Sequence, residues 1–264
     1  MQRACAVCLL LLVCIANGVA QNPPTSSAGA PPRVLLLVYQ QFLPGKSGTR
    51  QALEIDIARQ FDRLEVPVTW IELEGLTGPP EALFFDPANS FEEIDKAGAA
   101  LAQFYSTHSD IAQSQGQILE AVSNSRTLTA VRRDDLGLRA SSIDLTKARY
   151  LSLRVAHVPP AQRHDFEVAE KAAQDAQSSN VDASWVVYES NAGAPEITFL
   201  LFAPLTSLKQ LDKNRGQTTD SPFGPARFPG ETNLYVVRPD MSHVSKEFAA
   251  GDPAFWIRRT PPTP

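Results

Sequence analysis

The chain repeats itself, and this internal duplication constrains its fold more than any other feature. Residues 66–74 (VPVTWIELE) align without gaps with residues 181–189 (VDASWVVYE). Both segments carry a central tryptophan, Trp70 or Trp185, and both end on a glutamate. Self-similarity of this kind indicates one supersecondary unit built twice. The sequence therefore predicts two copies of a single folding unit.

The flanking segments recur in the same order. An apolar strand at residues 34–39 returns as residues 150–155, and each is followed by a helix with apolar side chains on one face. Glu54 in the first helix aligns with Glu170 in the second. Each copy is predicted as strand, helix, strand, strand, helix, strand, which is the ferredoxin-like arrangement.

Repeat 1 is expected over residues 33–140 and repeat 2 over residues 146–240. Repeat 2 contains a Gly- and Pro-rich insertion at residues 214–231, which is the most specific elaboration of the chain because functional variation concentrates in loops. Residues 241–264 are predicted to form an extended C-terminal tail. Two adjacent aromatic residues, Phe255-Trp256, would be costly to leave in water, so we expect them to anchor the tail.

The element order, the Pro-Gly-Lys turn at residues 44–46 and the tandem copying resemble the dimeric α+β-barrel superfamily, especially its NIPSNAP-like and antibiotic-biosynthesis-monooxygenase-like branches. The resemblance covers residues 33–240. It implies an α+β fold in which two tandem ferredoxin-like units pack their antiparallel sheets into a pseudo-dimeric α+β barrel. Because both halves lie in one chain, we expect a monomer with an internal pseudo-twofold axis.

The N-terminus predicts export. Residues 4–16 are apolar and uncharged, too few to span a bilayer, and small residues precede Gln21. We therefore expect a signal peptide over residues 1–20, followed by a disordered, Pro-rich linker over residues 21–32. The protein would be secreted or periplasmic.

Cysteine usage and charge exclude several classes of protein. All three cysteines, Cys5, Cys8 and Cys14, lie inside the expected signal peptide, so the mature chain would have neither disulfides nor thiolate metal sites. The net charge of −5 argues against nucleic acid as a partner. No later apolar run approaches the roughly 20 residues of a membrane helix, so we expect no membrane span after signal cleavage.

The sequence shows no recognisable catalytic constellation. It lacks the Gly-x-Ser-x-Gly elbow of many hydrolases. His157 and His164, with Asp165 and Glu167, could converge on a metal ion across one loop, but repeat 1 has nothing that matches them. We therefore predict no metal site and no cofactor.

The resemblance also implies a comparison with haem-degrading members of the superfamily. These proteins use an asparagine on the first strand, a tryptophan and a helix histidine. The nearest positions here are Gln40, Trp70 and His108.

Strand alternation predicts a ligand chamber between the two sheets. If Leu73 and Leu153 face the helices, the intervening side chains face the opposite side. The candidate ligand-binding residues are then Trp70, Glu72, Ser152, Arg154, Trp185 and Glu189. A buried guanidinium needs a partner, so Arg154 should meet either Glu72 or Glu189 or an anionic ligand. The alternative is that the two tryptophans only pack in the core.

Three functions remain open. The first is a small-molecule-binding or structural protein of the cell envelope, with a small apolar or anionic ligand. The second, implied by the resemblance, is a cofactor-independent monooxygenase- or isomerase-like enzyme acting on a small apolar substrate. The third is haem handling or assembly with other envelope proteins. The fold alone does not choose among them.

Overall fold

A computed structural model of the protein describes residues 28–257, except residue 195, residues 213–222 and residues 224–227. The expected signal peptide, most of the expected linker, most of the insertion and the last seven residues therefore lie outside the described residues.

The strands and helices of the described chain follow the predicted order in each repeat. The strands are β1 (Val34–Phe42), β2 (Ile71–Gly75), β3 (Glu81–Ala88), β4 (Val122–Arg132), β5 (Tyr150–Val158), β6 (Val186–Ala192), β7 (Ile197–Leu205) and β8 (Gly230–Val237). The helices are α1 (Ser47–Leu64), α2 (Phe91–Thr107), α3 (Ser109–Leu119), α4 (Arg163–Ala176), α5 (Lys209–Asp212), α6 (Lys246–Ala250) and α7 (Pro253–Trp256). Among these helices none combines the length and apolar character that a bilayer crossing demands.

The eight strands form one closed antiparallel barrel in the order β1-β3-β2-β8-β5-β7-β6-β4. Each repeat contributes four neighbouring strands in the ferredoxin-like order. Two seams join the repeats: Leu73 of β2 pairs with Val237 of β8, and Val131 of β4 pairs with Glu189 of β6. The predicted pseudo-dimeric α+β barrel is confirmed.

One face of every strand lines the barrel interior, and most of its side chains are apolar. They include Leu35, Leu37, Ile71, Leu73, Leu83, Phe85, Leu151, Leu153, Val186, Leu200, Phe202 and Tyr235. An eight-stranded barrel is just wide enough for side chains to fill. A cavity of about 20 Å³ remains beside Trp256, which is room for about one water molecule.

The C-terminal tail differs from its predicted extended form. It contains α6 and α7, which bring Trp256 into the barrel core with 5% of its surface exposed. The Trp256 indole N–H donates to the Thr146 carbonyl at 2.7 Å. The Arg149 guanidinium lies 3.7 Å above the Phe255 ring. The two aromatic residues therefore anchor the tail as expected.

The last residues of the expected linker are part of the folded structure. Pro31 and Pro32 are buried. The Pro32 carbonyl accepts a hydrogen bond from the Tyr188 hydroxyl at 2.8 Å, and the Pro31 carbonyl accepts one from Arg132. Folding thus begins a few residues earlier than the low-complexity composition indicated.

The outer face of the barrel is covered by helices, and the two repeats differ there. In repeat 2 the Phe166 ring of α4 stacks on Phe199 of β7 with ring centres 4.2 Å apart. Phe223, from the insertion, packs edge-on against Trp185, and all four rings are fully buried. In repeat 1 all 17 residues of α2 remain at least partly exposed. The space beneath α2 is the candidate site.

Candidate functional site

A cavity of about 750 Å³ lies between the outer face of the repeat 1 sheet and helices α1 and α2. Small-molecule sites typically occupy cavities of about 300–1,000 Å³. Its floor is formed by outward-facing side chains of β1 and β3, including Val38 and Phe84. Ile57 and Phe61 of α1 form one wall, and α2 contributes Leu101 among others. The volume and the mostly apolar lining are typical of a ligand site.

The polar groups of the floor lie towards opposite ends of the cavity. Gln40 pairs with Ala82 across the β1–β3 ladder, and Asp86 pairs with Leu36. Gln40 and Asp86 are therefore separated by four residues along the ladder, or roughly 13 Å. The apolar side chains of Val38 and Phe84 lie between them. The floor is thus apolar in the middle and polar towards each end.

The Gln40 amide oxygen and the Asp86 carboxylate have no hydrogen-bond partner within the described chain. Gln40 is 7% exposed, and its amide oxygen accepts no hydrogen bond there. Asp86 forms no hydrogen bond or ion pair with any described residue. Burial alone raises the pKa of Asp86 to about 7. Gln40 offers a buried amide oxygen and Asp86 a half-buried carboxylate, so both groups are placed to meet a ligand.

A buried cluster of charges adjoins the cavity through Glu54. Arg50 of α1 is fully buried, and its guanidinium donates to Glu72 at 2.7 Å, to Glu74 at 2.6 Å and to Glu54 at 3.3 Å. Glu74 also accepts from Arg238. Glu54 belongs to this cluster and lines the cavity as well.

The buried carboxyl groups of the cluster bind protons more readily than exposed ones. Burial, followed by the neighbouring Glu54 carboxylate, raises the pKa of Glu72 well above its usual range. Burial also raises the pKa of Glu54, against the opposing effect of the Arg50 charge. Burial and the repulsion between the two carboxylates therefore both favour the neutral form of these groups relative to an exposed glutamate.

The predicted chamber between the sheets is wrong, although the predicted alternation is right. Leu73 and Leu153 do lie on one face, and Glu72 and Arg154 on the other. However, the leucine face is the barrel interior, and the charged face lies beneath the helices. The physical reason is that the narrow barrel interior is filled by apolar side chains, whereas α1 and α4 supply partners for buried charges.

Arg154 also has a different partner from those predicted. Its guanidinium lies 3.9 Å from the Glu170 carboxylate of α4, and both side chains are almost fully buried. Glu72 pairs with Arg50 instead, and Glu189 pairs with Arg133 at 2.8 Å. The proposed anionic ligand at Arg154 is therefore replaced by Glu170, the equivalent in repeat 2 of Glu54.

Of the six predicted ligand-binding residues, the structure places Trp70 in the cavity lining. Glu72 is outside the lining, and its carboxylate accepts a hydrogen bond from Arg50 at 2.7 Å. The remaining four belong to repeat 2, namely Ser152, Arg154, Trp185 and Glu189. Trp185 is fully buried in an aromatic core there. The core-packing alternative thus holds for Trp185, while Trp70 packs on Phe61 and borders the cavity.

The haem comparison fails on the third residue. Gln40 and Trp70 both line the cavity. His108 lies at the junction of α2 and α3, with its ring stacked on Phe104, and is outside the lining. The lining contains no histidine among the described residues, and burial raises the pKa of Tyr105 to about 12, which disfavours an iron-binding phenolate. The residues present do not fit a haem group.

The loop histidines do not form a metal site, because in the described part of the chain no group of three or more His, Cys, Asp or Glu side chains is arranged to hold a metal ion. The His157 ring nitrogen Nδ1 instead lies 3.2 Å from the Thr198 hydroxyl.

Sequence reasoning missed Asp86 as a site residue. A signal was present, because Asp86 is the single charge at the end of the apolar run at residues 82–86 and shares a strand face with Phe84. A lone carboxylate on a strand face that is otherwise apolar indicates either a paired charge or a ligand contact.

Replacing Arg50 with Met should destabilise the protein by about 3–5 kcal/mol at neutral pH, because several carboxylates then lose their buried counter-charge. The loss should shrink as the pH falls to 5, since the raised folded-state pKa of Glu54 and Glu72 favours their protonation as the pH drops. Adding Glu72→Gln should restore part of the stability. Arg59→Met, on the exposed side of the same helix, is the control. Urea unfolding at both pH values measures these effects, and equal losses in the two Arg variants would contradict the assignment.

No protein-family model matches the sequence, and no curated protein sequence does. Among solved structures, a Fusobacterium nucleatum protein provisionally named a monooxygenase superposes with a TM-score of 0.50 at 12% identity, over 78% of this chain and 93% of that chain. A protein provisionally named a chlorite dismutase superposes with a TM-score of 0.50 at 10% identity, over 84% and 99%. At such identities the likeness establishes the fold. The chain therefore has the fold of the dimeric α+β-barrel superfamily, with both halves of the barrel in one polypeptide.

Proposed function

We propose that the protein binds a small, largely apolar molecule in the cavity between α1, α2 and the repeat 1 sheet. The observation that carries this proposal is the difference between the two halves of the duplication. On the equivalent face of repeat 2, the rings of Phe166, Phe199 and Phe223 belong to one buried apolar cluster. Repeat 1 keeps about 750 Å³ open beneath α2. A mostly apolar cleft of this size between helices and a sheet is typical of a small-molecule site.

The arrangement of the lining supports a binding role. Val38, Phe84 and Leu101 offer apolar contacts, while Gln40 and Asp86 offer polar contacts at separate points. A few fixed polar groups in an apolar cavity orient a ligand and give specificity.

Filling the cavity tests the proposal. Ala97 of α2 lines the cavity, so Ala97→Phe should weaken binding of the neutral fluorescent probe N-phenyl-1-naphthylamine by about tenfold or more, or roughly 1.4 kcal/mol. Ala99→Phe makes the same change on the exposed side of α2 and should leave the affinity unchanged. Fluorescence titration gives both affinities. Absence of saturable binding to the unmodified protein, or equal binding by both variants, would contradict the proposal.

A cofactor-independent monooxygenase- or isomerase-like activity on a small apolar substrate is the second candidate. Asp86 favours it, because a carboxyl with a pKa of about 7 in an apolar cavity is suited to take a proton from a substrate carbon. In an isomerisation the same carboxyl returns the proton to another carbon. In an oxygenation, the carbanion transfers electrons to dioxygen and the two join as a peroxide, which takes the proton back from Asp86. Cleavage of the O–O bond with loss of water then leaves a carbonyl at that carbon.

This second candidate predicts a rate that rises with pH through about 7, since the carboxylate form of Asp86 is the base. Exchange of the α-hydrogens of 2-tetralone in deuterated water, followed by NMR, measures the proton-transfer step. Asp86→Asn should remove the protein-dependent rate. If the unmodified protein does not accelerate exchange at pH 8, Asp86 is not a base for carbon acids of this type.

We also propose that the protein is exported to the periplasm or secreted, and that it is a monomer. The apolar, uncharged residues 4–16 support export. Closure of both seams within one chain supports the monomer, because neither β2 nor β4 is left as an edge for a second copy. The exported protein should begin at Gln21 and scatter light as a single chain. A retained Met1 or a tight dimer at micromolar concentration would contradict these two proposals respectively.

A further inference from the structure

The charges around the cavity are predominantly acidic. Its titratable lining residues are Glu54, Asp86, Glu93, Lys96 and Tyr105. The Lys96 ammonium is 2.6 Å from Glu92, with both side chains largely exposed. The Glu93 carboxylate accepts a hydrogen bond from the Asn89 backbone N–H at 2.7 Å, at the start of α2. The carboxyls left to face the cavity are therefore Glu54 and Asp86.

These two carboxyls differ in what balances their charge. Glu54 has the Arg50 guanidinium beside it. Asp86 has no counter-ion among the described residues, and its pKa of about 7 reflects burial alone. An ionised carboxylate in an apolar environment is costly unless a positive charge or several hydrogen-bond donors meet it. Asp86 is half-buried in the cavity lining, so a group from outside the described chain can reach its carboxylate.

Aromatic rings surround the Asp86 end of the cavity. Ile71 pairs with Phe85 across the β2–β3 ladder, so the next position in this register places Trp70 beside Asp86. Phe84 follows Asp86 on the same face of β3. The Trp70 indole N–H already donates to the Met241 carbonyl at 2.8 Å, so Trp70 does not satisfy the carboxylate. A carboxylate next to aromatic rings is an environment that attracts organic cations.

We infer that the ligand of the cavity is an organic cation, an inference that rests on the proposed function. An ammonium-type group of the ligand pairs with Asp86, and its apolar body lies over Val38 and Phe84 beneath α2. The charge of the ligand supplies the counter-ion that Asp86 lacks. The apolar body occupies the middle of the floor and extends towards Gln40, whose free amide oxygen can accept a hydrogen bond from it.

Three probes with the same aromatic body separate the possible ligand classes: 1-naphthylmethylamine, 1-naphthalenemethanol and 1-naphthoic acid. Calorimetric titration at pH 7.5 should show the amine binding about tenfold or more tightly than the alcohol, with the acid weakest. Affinity for the amine should fall as the pH drops from 7.5 to 5.5, because Asp86 then takes up a proton that the cation must displace. Asp86→Asn should abolish this fall in affinity, because that variant keeps the other titratable groups of the lining, which are Glu54, Glu93, Lys96 and Tyr105.

Asp86→Asn should reduce affinity for the amine to that for the alcohol. Asp95→Asn removes the same charge from an exposed position of α2 outside the lining and should have no effect. Independently of any ligand, Asp86→Asn should raise the unfolding temperature at pH 8 more than at pH 5, since it removes an unpaired carboxylate that is ionised only at the higher pH. A less stable variant at pH 8 would show that Asp86 has an internal partner and would overturn the inference.

The remaining outcomes are also decisive. Equal binding of amine and alcohol, or tightest binding of the acid, overturns the cationic ligand but leaves the apolar binding function standing. Binding of N-phenyl-1-naphthylamine without binding of the amine has the same meaning. If neither that neutral probe nor any of the three naphthalene compounds binds, the proposed function itself fails.

Discussion

Closure of the eight strands into one barrel is the constraint on which the rest of the structure depends. A barrel of this size has an interior that its own side chains fill, so Leu35, Leu73 and Leu153 leave no room for a ligand there. Any chemistry must then lie on the outer face of the sheet, beneath the helices. That is where Arg50, Glu72, Arg154 and the open cavity are found. The duplication provides two such faces, and the chain treats them differently.

The two repeats place different groups between the helices and the outer face of the sheet. In repeat 1, Arg50 gathers Glu54, Glu72 and Glu74, and the neighbouring space stays open. The position equivalent to Arg50 in repeat 2 is Phe166, whose ring stacks on Phe199 instead of pairing with carboxylates. Charged clusters need precise partners and tolerate little displacement, so the cluster also fixes α1 as a rigid wall of the cavity. The aromatic packing of repeat 2 buries apolar surface, which stabilises the fold.

The sequence predicted the fold well because its two main signals, duplication and strand alternation, depend on local geometry. It also placed Leu73 and Glu72 on opposite faces of the sheet, and likewise Leu153 and Arg154, and both placements are correct. It could not say which face points into the barrel, because alternation has the same period whichever side is enclosed. Partners distant in sequence, such as Glu170 for Arg154, were likewise beyond it. The cavity also depends on how far α2 stands from the sheet, and no residue of α2 encodes that distance by itself.

The seam between β2 and β8 has a consequence for how the chain reaches its native state. It joins Leu73 of repeat 1 to Val237 in the last strand of repeat 2. Until β8 is in place, β2 presents an unpaired edge, and the barrel cannot close. Contacts between such distant segments slow folding because the intervening chain must be ordered first. A partly synthesised chain therefore contains repeat 1 with an open sheet, which is the state most exposed to pairing with the wrong strand.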